Sequence, residues 1–430
     1  MSSQQPTLAY EPATPPIEEP KASWSSLNRE AKFTLVAAIG GWLFDSFDVM
    51  LISLLAAPIM KSLGFGPDKL ALVLSIQLGA SALGGIFTGI LADYIGRKKA
   101  LMINILIYAL STGAVFFTNS LGMLLILRFL TGLGLGGEWA LSMTLISEKV
   151  PASFRGRAVA MGNAGWPLGT LLAALFTYFL FPVVGWRATF AIAAFPALLV
   201  LWIRRYVPES QLWLETRKSG RKLNQPKANK VPIVEIFSRN YIRRTILVFL
   251  AILCTMFAYW MFWTWLPTYL VNSRGFTLSK SSLWMIITQV GAFAGYMVNG
   301  WVQDKLGRRL AMSVFSIGEA VMIVVFLALV TNSAYIYLIV LLLGFFTGYW
   351  ASYGSIVTET FPTRIRATGA GVTYNSSRAI NLVGPVIVTT VAAATNWNLA
   401  LAMPAVGALL AGLLIWTLPE TKGRNLSMIE

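Results

Sequence analysis

The sequence predicts an all-α membrane protein: twelve transmembrane helices in two six-helix bundles related by an internal repeat. Three observations carry this prediction. Of 430 residues, 56% are hydrophobic and only 12% charged, half the charged share of about 25% found in soluble domains, and the mean hydropathy is +0.66. Apolar runs long enough to cross a bilayer, about 20 residues, recur along the chain. Three short motifs also return at one fixed spacing.

In chain order, residues 1–31 are polar and Pro-rich and read as a disordered tail. They lack the positive-then-apolar layout of a secretory leader. Six apolar segments follow, near 33–60, 69–93, 100–118, 121–147, 157–181 and 186–203. Their short polar connections suit antiparallel helices. A long polar, basic break then precedes six more, near 245–271, 281–303, 310–330, 335–358, 368–394 and 398–417. The expected domains are a first bundle at 32–205, a linker at 206–243, a second bundle at 244–421 and a short tail at 422–430.

The repeat divides the chain in two. ADYIGRKK (92–99) returns as QDKLGRRL (303–310), EKVPASFRG (148–156) as ETFPTRIRA (359–367), and PES (208–210) as PET (419–421), all offset by 211 residues. Three matches at one offset, in corresponding loops, mark two homologous halves.

The net charge of +16 invites a nucleic-acid reading, but its distribution gives another. Of the 34 lysines and arginines, 27 fall in the two tails, the central linker and alternate loops, 5 fall in the opposite loops, and Arg128 and Arg378 lie within spans. This asymmetry predicts that both termini are cytoplasmic. The single cysteine, Cys254, lies in an apolar run, and there is no histidine. No metal site is expected, no enzymatic nucleophile set is evident, and proton chemistry near neutral pH falls to carboxylates.

The motifs are similar to those of the major facilitator superfamily. GILADYIGRKK (89–99) resembles the signature between its second and third spans, and RFLTGLGLGGEW (128–139) resembles its span 4 motif. PESQLWL (208–214) and PETKG (419–423) resemble the span ends of its sugar-porter-like members. Within that group DSFD of span 1, GGEW of span 4 and NSSR of span 11 resemble the metabolite–proton symporters, carriers of sialic acid, lactate or pyruvate, aromatic acids and similar carboxylates. The resemblance implies proton-coupled symport of a small organic anion by alternating access, with no cofactor. It also implies a monomer in a bacterial or archaeal cytoplasmic membrane, with the bilayer, protons and the substrate anion as partners. A sugar–proton symporter, a drug–proton antiporter and a non-transporting receptor are the alternatives.

Candidate site residues are the polar groups that a bilayer penalises. Asp45 and Asp48, at i and i+3, share a helix face near mid-membrane. An ionised carboxylate there needs a partner or a proton. Arg128 in span 4 is the expected partner of Asp48, and the resemblance implies that this pair forms the proton site. Glu138, deeper on span 4, is a third acid placed to share a proton with Asp45.

Arg378 lies about 15 Å along span 11 at 1.5 Å per residue. Tyr374, Asn375 and Asn381 surround it at helical spacing. A guanidinium flanked by amides suits a carboxylate ligand, and the other half carries Pro167 at the equivalent place. A structural ion pair with Glu319 is the competing reading. FAYWMFWTWLPTY (257–269) puts seven aromatics in span 7; Trp260 and Trp263, with Gln289 of span 8, are read as substrate-facing. The resemblance implies an ion-pair gate at the cytoplasmic helix ends, formed by Asp93, Arg97, Glu148, Arg155 and Glu209 and repeated in Asp304, Arg308, Glu359, Arg366 and Glu420. GLGLGG (132–137) lies mid-span with no preceding strand and no phosphate-loop lysine, so it reads as a helix-packing surface.

Overall fold

The computed structural model describes residues 22–222, 231–274, 278–329, 335–380, 383–426 and 429. Helices occupy all twelve predicted spans. Span 1 is Arg29–Leu54, span 2 Pro67–Ile95 and span 3 Arg97–Ala114. Span 4 comprises Leu121–Leu135 and Glu138–Lys149. Span 5 begins at Arg155–Asn163 and continues in Gly165–Ile192, which turns at Gly185 into span 6, completed by Ala197–Tyr206. Span 7 is Ile242–Arg274, span 8 Leu278–Leu306 and span 9 Arg308–Leu329. Span 10 comprises Tyr335–Phe346 and Trp350–Thr360, span 11 Arg366–Ile380 and Gly384–Ala394, and span 12 Trp397–Leu414. Nine of the helical stretches among the described residues are long and apolar enough to cross a membrane on those criteria alone. Spans 6, 8 and 11 complete the set: span 6 is interrupted, span 8 is more polar, and span 11 is described in two pieces.

The N-terminal tail is shorter than the sequence suggests. From residue 22 the chain is packed, with Ala22, Leu27 and Ala31 buried and Asn28 Oδ1 capping span 1 by accepting the Ala31 N–H at 2.8 Å. Scattered apolar residues in a polar stretch gave no periodic signal. The linker is partly helical, at Gln211–Lys222 and Pro232–Ile236.

Glycines let the helices approach closely. A Cβ on Gly136 would overlap the Ser81 carbonyl oxygen of span 2, and one on Gly132 would overlap that of Gln77. Gly134 is pressed against span 3 at Asn104 and Tyr108. The GLGLGG stretch is therefore a clamp that holds span 4 between spans 2 and 3, fixing the height of Arg128 and Glu138. At the two signature loops, Gly96 (φ 104°) and Gly307 (φ 112°) adopt a backbone that L side chains rarely enter. A Cβ there would meet the carboxylates of Glu209 and Glu420 respectively. These four residues obey the 211-residue offset.

Gly136→Ala is expected to destabilise the protein by about 1–3 kcal/mol, the usual range for overpacking a filled interior. Thermal unfolding of the detergent-purified variant measures this; an unchanged melting temperature contradicts the clamp.

Candidate functional site

The end of the bundle carrying both chain termini and the linker, here the terminal face, is crossed by ion pairs that obey the repeat. Arg155 Nη1 donates to Glu359 Oε1 at 2.9 Å, from the first half to the second. Its repeat equivalent, Arg366 Nη1, donates to Glu148 Oε1 at 2.6 Å, in the opposite direction. Within each half Arg97 pairs with Asp93 (3.0 Å) and Glu148 (3.4 Å), and Arg308 with Asp304 (3.6 Å) and Glu359 (2.9 Å). Glu209 accepts the backbone N–H groups of Arg97 and Lys98 at 3.0 and 3.1 Å. Glu420 does the same for Arg308 and Arg309, both at 3.0 Å. Each thus places an anion at the N-terminus of a span, where the helix dipole favours it.

All ten gate residues read from the sequence meet in this network. Sequence reasoning missed others. Asp93 accepts the Thr368 N–H and hydroxyl at 2.8 and 2.7 Å, and Asp304 accepts the Gly156 N–H at 2.8 Å and Arg157 Nε at 2.9 Å. Ser147 and Thr358 hydroxyls meet on the pseudo-twofold at 2.8 Å. The C-terminal segment supplies the carbonyls of Arg424 to Arg155 (3.1 Å) and Leu426 to Arg366 (3.3 Å). The offset could have found Arg157, which is the counterpart of Thr368.

Deeper in the membrane core, Asp48 is fully engaged. Arg128 Nη1 lies 3.3 Å from its Oδ2, Gln77 Nε2 donates to the same oxygen at 3.2 Å, and the Thr112 hydroxyl donates to Oδ1. Arg128 also donates to Thr112 Oγ1 at 3.3 Å and lies over the Phe190 ring, 5.4 Å from its centre. Gln77 and Thr112 carried no sequence signal, since isolated polar residues are common in spans.

Asp45 behaves differently. It is 1% exposed, and neither carboxylate oxygen has a hydrogen-bond partner. Although Asp45 and Asp48 are three residues apart, Asp48 is bonded to spans 2, 3 and 4, whereas Asp45 lies within the electrostatic reach of Arg378 on span 11. Glu138 packs against Gly41 one turn before Asp45. Its Oε1 accepts the Ser142 hydroxyl at 2.8 Å, while Oε2 has no partner. No hydrogen bond joins Glu138 to Asp45 among the described residues.

Arg378 is 7% exposed, and its Nε has no partner. No ion pair joins it to Glu319 or to any other acid among the described residues. Tyr374, one turn earlier, stacks on Trp139 of span 4 with ring centres 4.1 Å apart at 18°, and Trp139 Nε1 donates to Asn163 Oδ1 at 3.0 Å. Asn375 donates to its own helix at Gly371 O (2.9 Å) and is wedged against Gly85 of span 2. Asn381 lies outside the described residues.

Beside these groups, between the two halves, is a small cavity of about 30 Å³ lined by Trp42, Trp139, Asn163, Trp166, Tyr259, Trp260, Tyr296, Trp350 and Tyr374; Arg378 is not among its lining residues. A second, also of about 30 Å³, shares Trp166, Tyr259 and Tyr296 with it and adds Trp263, Thr288, Gln289, Ala292 and Thr347. Tyr374, Trp260, Trp263 and Gln289 are therefore brought to the centre. Trp42, Trp139, Trp166, Tyr296 and Trp350 were missed, although Trp139 and Trp350 are repeat equivalents in GEW and GYW. A much larger cavity, about 750 Å³, lies at the terminal surface, against Lys98, Lys99, Arg204 and helix Gln211–Lys222, and touches none of the core charges.

This two-bundle frame, with its duplicated latch and a cavity on the seam, has known counterparts. Residues 37–380 and 279–428 match the family described as Major Facilitator Superfamily. The chain belongs to the major facilitator superfamily. It is thus an integral membrane transport protein and not an enzyme. The niacin transporter NiaP of Acinetobacter baylyi is 33% identical over 381 residues, covering 83% of this chain and 86% of that protein. The sialic acid transporter NanX of Escherichia coli is 32% identical over 370 residues, covering 86% and 89%. Among solved structures, the proton:xylose symporter XylE superposes with a TM-score of 0.76 at 20% identity, covering 93% of this chain and 98% of that one. At that identity the likeness concerns the superfamily fold.

A buried ion pair left half-intact is costly. Arg128→Met is expected to destabilise this superfamily member by about 3–5 kcal/mol, because Asp48 stays buried without its cation. Adding Asp48→Leu removes the orphaned charge and should restore most of the loss. Melting temperatures of the single and double variants decide; a double variant no more stable than the single would contradict this role of the pair.

Proposed function

We propose that the protein is a proton-coupled symporter of a small organic acid, and that its preferred substrates are planar or ring-bearing monocarboxylates. The observation that carries this reading is Arg378: a guanidinium buried at the seam, with a free Nε and no acid bonded to it among the described residues. A charge in that setting is stable only with a counter-ion, and a substrate carboxylate supplies one with bidentate geometry. The cavity walls supply the rest of the chemistry. Eight of the nine residues lining the first of the two central cavities are Trp or Tyr, with Asn163 the exception, which suits a ring better than the hydroxyls of a sugar. A neutral sugar or a cationic drug would also leave Arg378 uncompensated. Relatives named for niacin and sialic acid, both carboxylates, support the same class.

The proton is carried by Asp45 together with Glu138. Asp48 is already balanced by Arg128, Gln77 and Thr112, whereas Asp45 has no hydrogen-bonded partner and lies in reach of Arg378. An anion on Arg378 removes the cation that steadies an ionised Asp45, so substrate and proton load together. The terminal face is the cytoplasmic one, as the distribution of lysine and arginine indicates, and its ion pairs hold that face shut while the cavity communicates with the outside. Breaking them lets the halves rock to the opposite state. One chain contains the whole pathway, so a monomer suffices, and bacterial relatives point to the cytoplasmic membrane.

Arg378→Ala tests the substrate site. Losing one charge-assisted contact of this kind costs about 2–5 kcal/mol, roughly a 30-fold to several-thousand-fold loss of affinity. Arg378→Lys should recover only part, since an ammonium cannot reproduce the planar fork. Quenching of the cavity tryptophans by nicotinate or benzoate reads the affinity, with nicotinamide or benzamide as controls that bind weakly and equally to both proteins. A folded Arg378→Ala variant with undiminished affinity for the acids would sink the proposal.

A further inference from the structure

Glu319 is a buried acid that this transport scheme leaves unused. It lies in span 9, about 17 Å from the terminal-face end at 1.5 Å per residue. It is fully buried, and neither carboxylate oxygen closes a hydrogen bond of ordinary geometry. No lysine or arginine pairs with it among the described residues. The groups that face it are the Tyr349 hydroxyl of span 10 and the Trp263 indole N–H of span 7, both likewise without a closed hydrogen bond. Tyr259 of span 7 and Tyr296 of span 8 are near enough to interact with its charge. Span 12, which also packs on span 9, contributes no titratable side chain. The carboxyl group therefore sits among neutral donors, with no cation to hold it ionised.

The repeat gives this arrangement a counterpart. The 211-residue offset pairs Glu319 with Tyr108, and Tyr349 with Glu138. In the first half the Tyr108 hydroxyl has no hydrogen bond and lies within the electrostatic reach of Glu138. Each half thus holds one buried acid and one buried tyrosine on its third and fourth helices, with the two residue types exchanged between the positions. A fold requirement would conserve the residue at the position. What both halves keep instead is the combination, one proton-accepting acid facing one hydroxyl.

We propose that Glu319 is a second proton-binding site, in the second half, linked to the substrate through Trp263. This rests on the symport reading above and adds a proton acceptor to it. Trp263, Tyr259 and Tyr296 line the cavity as well as facing Glu319. When Glu319 is ionised, its carboxylate accepts from the Trp263 N–H and the Tyr349 hydroxyl and draws the indole away from the cavity. When a proton from cavity water binds a carboxylate oxygen, the acid becomes a donor to the Tyr349 oxygen, and the Trp263 N–H is free for a substrate carboxylate. Each ligand then favours the other by the same factor, as linkage requires.

The test counts protons taken up when benzoate saturates the purified protein in weakly buffered detergent, read with an indicator dye. Wild type should take up protons, and Glu319→Gln should take up about one fewer per benzoate bound while melting as wild type does. Trp263→Phe keeps the ring and loses the N–H, so it should also reduce uptake; this variant carries the test should Glu319→Gln fail to fold. Uptake by either folded variant equal to that of wild type overturns the Glu319 proposal alone. No uptake by wild type overturns the symport reading and this one together.

Discussion

A charge inside a bilayer has to be paired, neutralised or left for a ligand, and this constraint orders the whole molecule. Ionising a group in a low-dielectric interior without compensation is prohibitive. The core charges divide accordingly. Asp48 and Arg128 compensate each other and are further held by Gln77 and Thr112. Asp45, Glu138, Glu319 and Arg378 are not closed in this way: three acids and one cation, none of them in an ion pair among the described residues, each with at least one polar atom unsatisfied. The unsatisfied set is distributed over spans 1, 4, 9 and 11, around the seam between the halves. The groups that would be liabilities in a purely structural protein are the ones a transported anion and its protons would complete.

The terminal face shows the opposite economy. There Asp93, Glu148, Asp304 and Glu359 each have an arginine, Glu209 and Glu420 are held by backbone N–H groups, and the interhalf pair Arg155–Glu359 has a repeat-related twin, Arg366–Glu148, running the other way. Such a surface suits the two-state rocking proposed above. The halves can keep both pairs or lose both, because a rotation that separates Arg155 from Glu359 also separates Arg366 from Glu148. The C-terminal carbonyls of Arg424 and Leu426, bonded to these same arginines, tie the end of the chain to that choice. Affinity for substrate at the centre and the strength of the latch at the face are then opposing terms in one equilibrium, which a bound ligand can move only by its differential affinity for the two states.

The frame was legible in the sequence because bilayer thickness and the 211-residue offset are both one-dimensional signals. Apolar run length located all twelve spans, and the duplicated loops named ten residues that meet in the terminal-face network. The Asp48–Arg128 pairing followed from the need of a buried carboxylate for a cation, with Arg128 the basic residue inside the spans of that half. What did not follow was azimuth. Asp45 and Asp48 share a face by spacing, yet they serve different neighbours: side chains of spans 2, 3 and 4 reach Asp48, while Asp45 lies within the electrostatic reach of Arg378 on span 11. Asn375 was grouped with Arg378 on the same logic and is instead wedged at Gly85. The tryptophans of the cavity were hidden among 15 tryptophans in the chain, most of which composition explains equally well as packing. The packed segment from Ala22 to Asn28 escaped because a few contacts, rather than a periodic pattern, order it.

The central claim is that unsatisfied carboxylates in the core couple an organic acid to protons. It is tested most directly by reconstituting the protein in liposomes and following radiolabelled benzoate or nicotinate under an imposed pH gradient, alkaline inside. The account predicts accumulation above the outside concentration by wild type and collapse on adding a protonophore. It also predicts that Asp45→Asn, left with the Glu319 site alone, accumulates markedly less label than wild type while retaining exchange. Accumulation by Asp45→Asn equal to that of wild type, or wild-type uptake indifferent to the gradient, would contradict it.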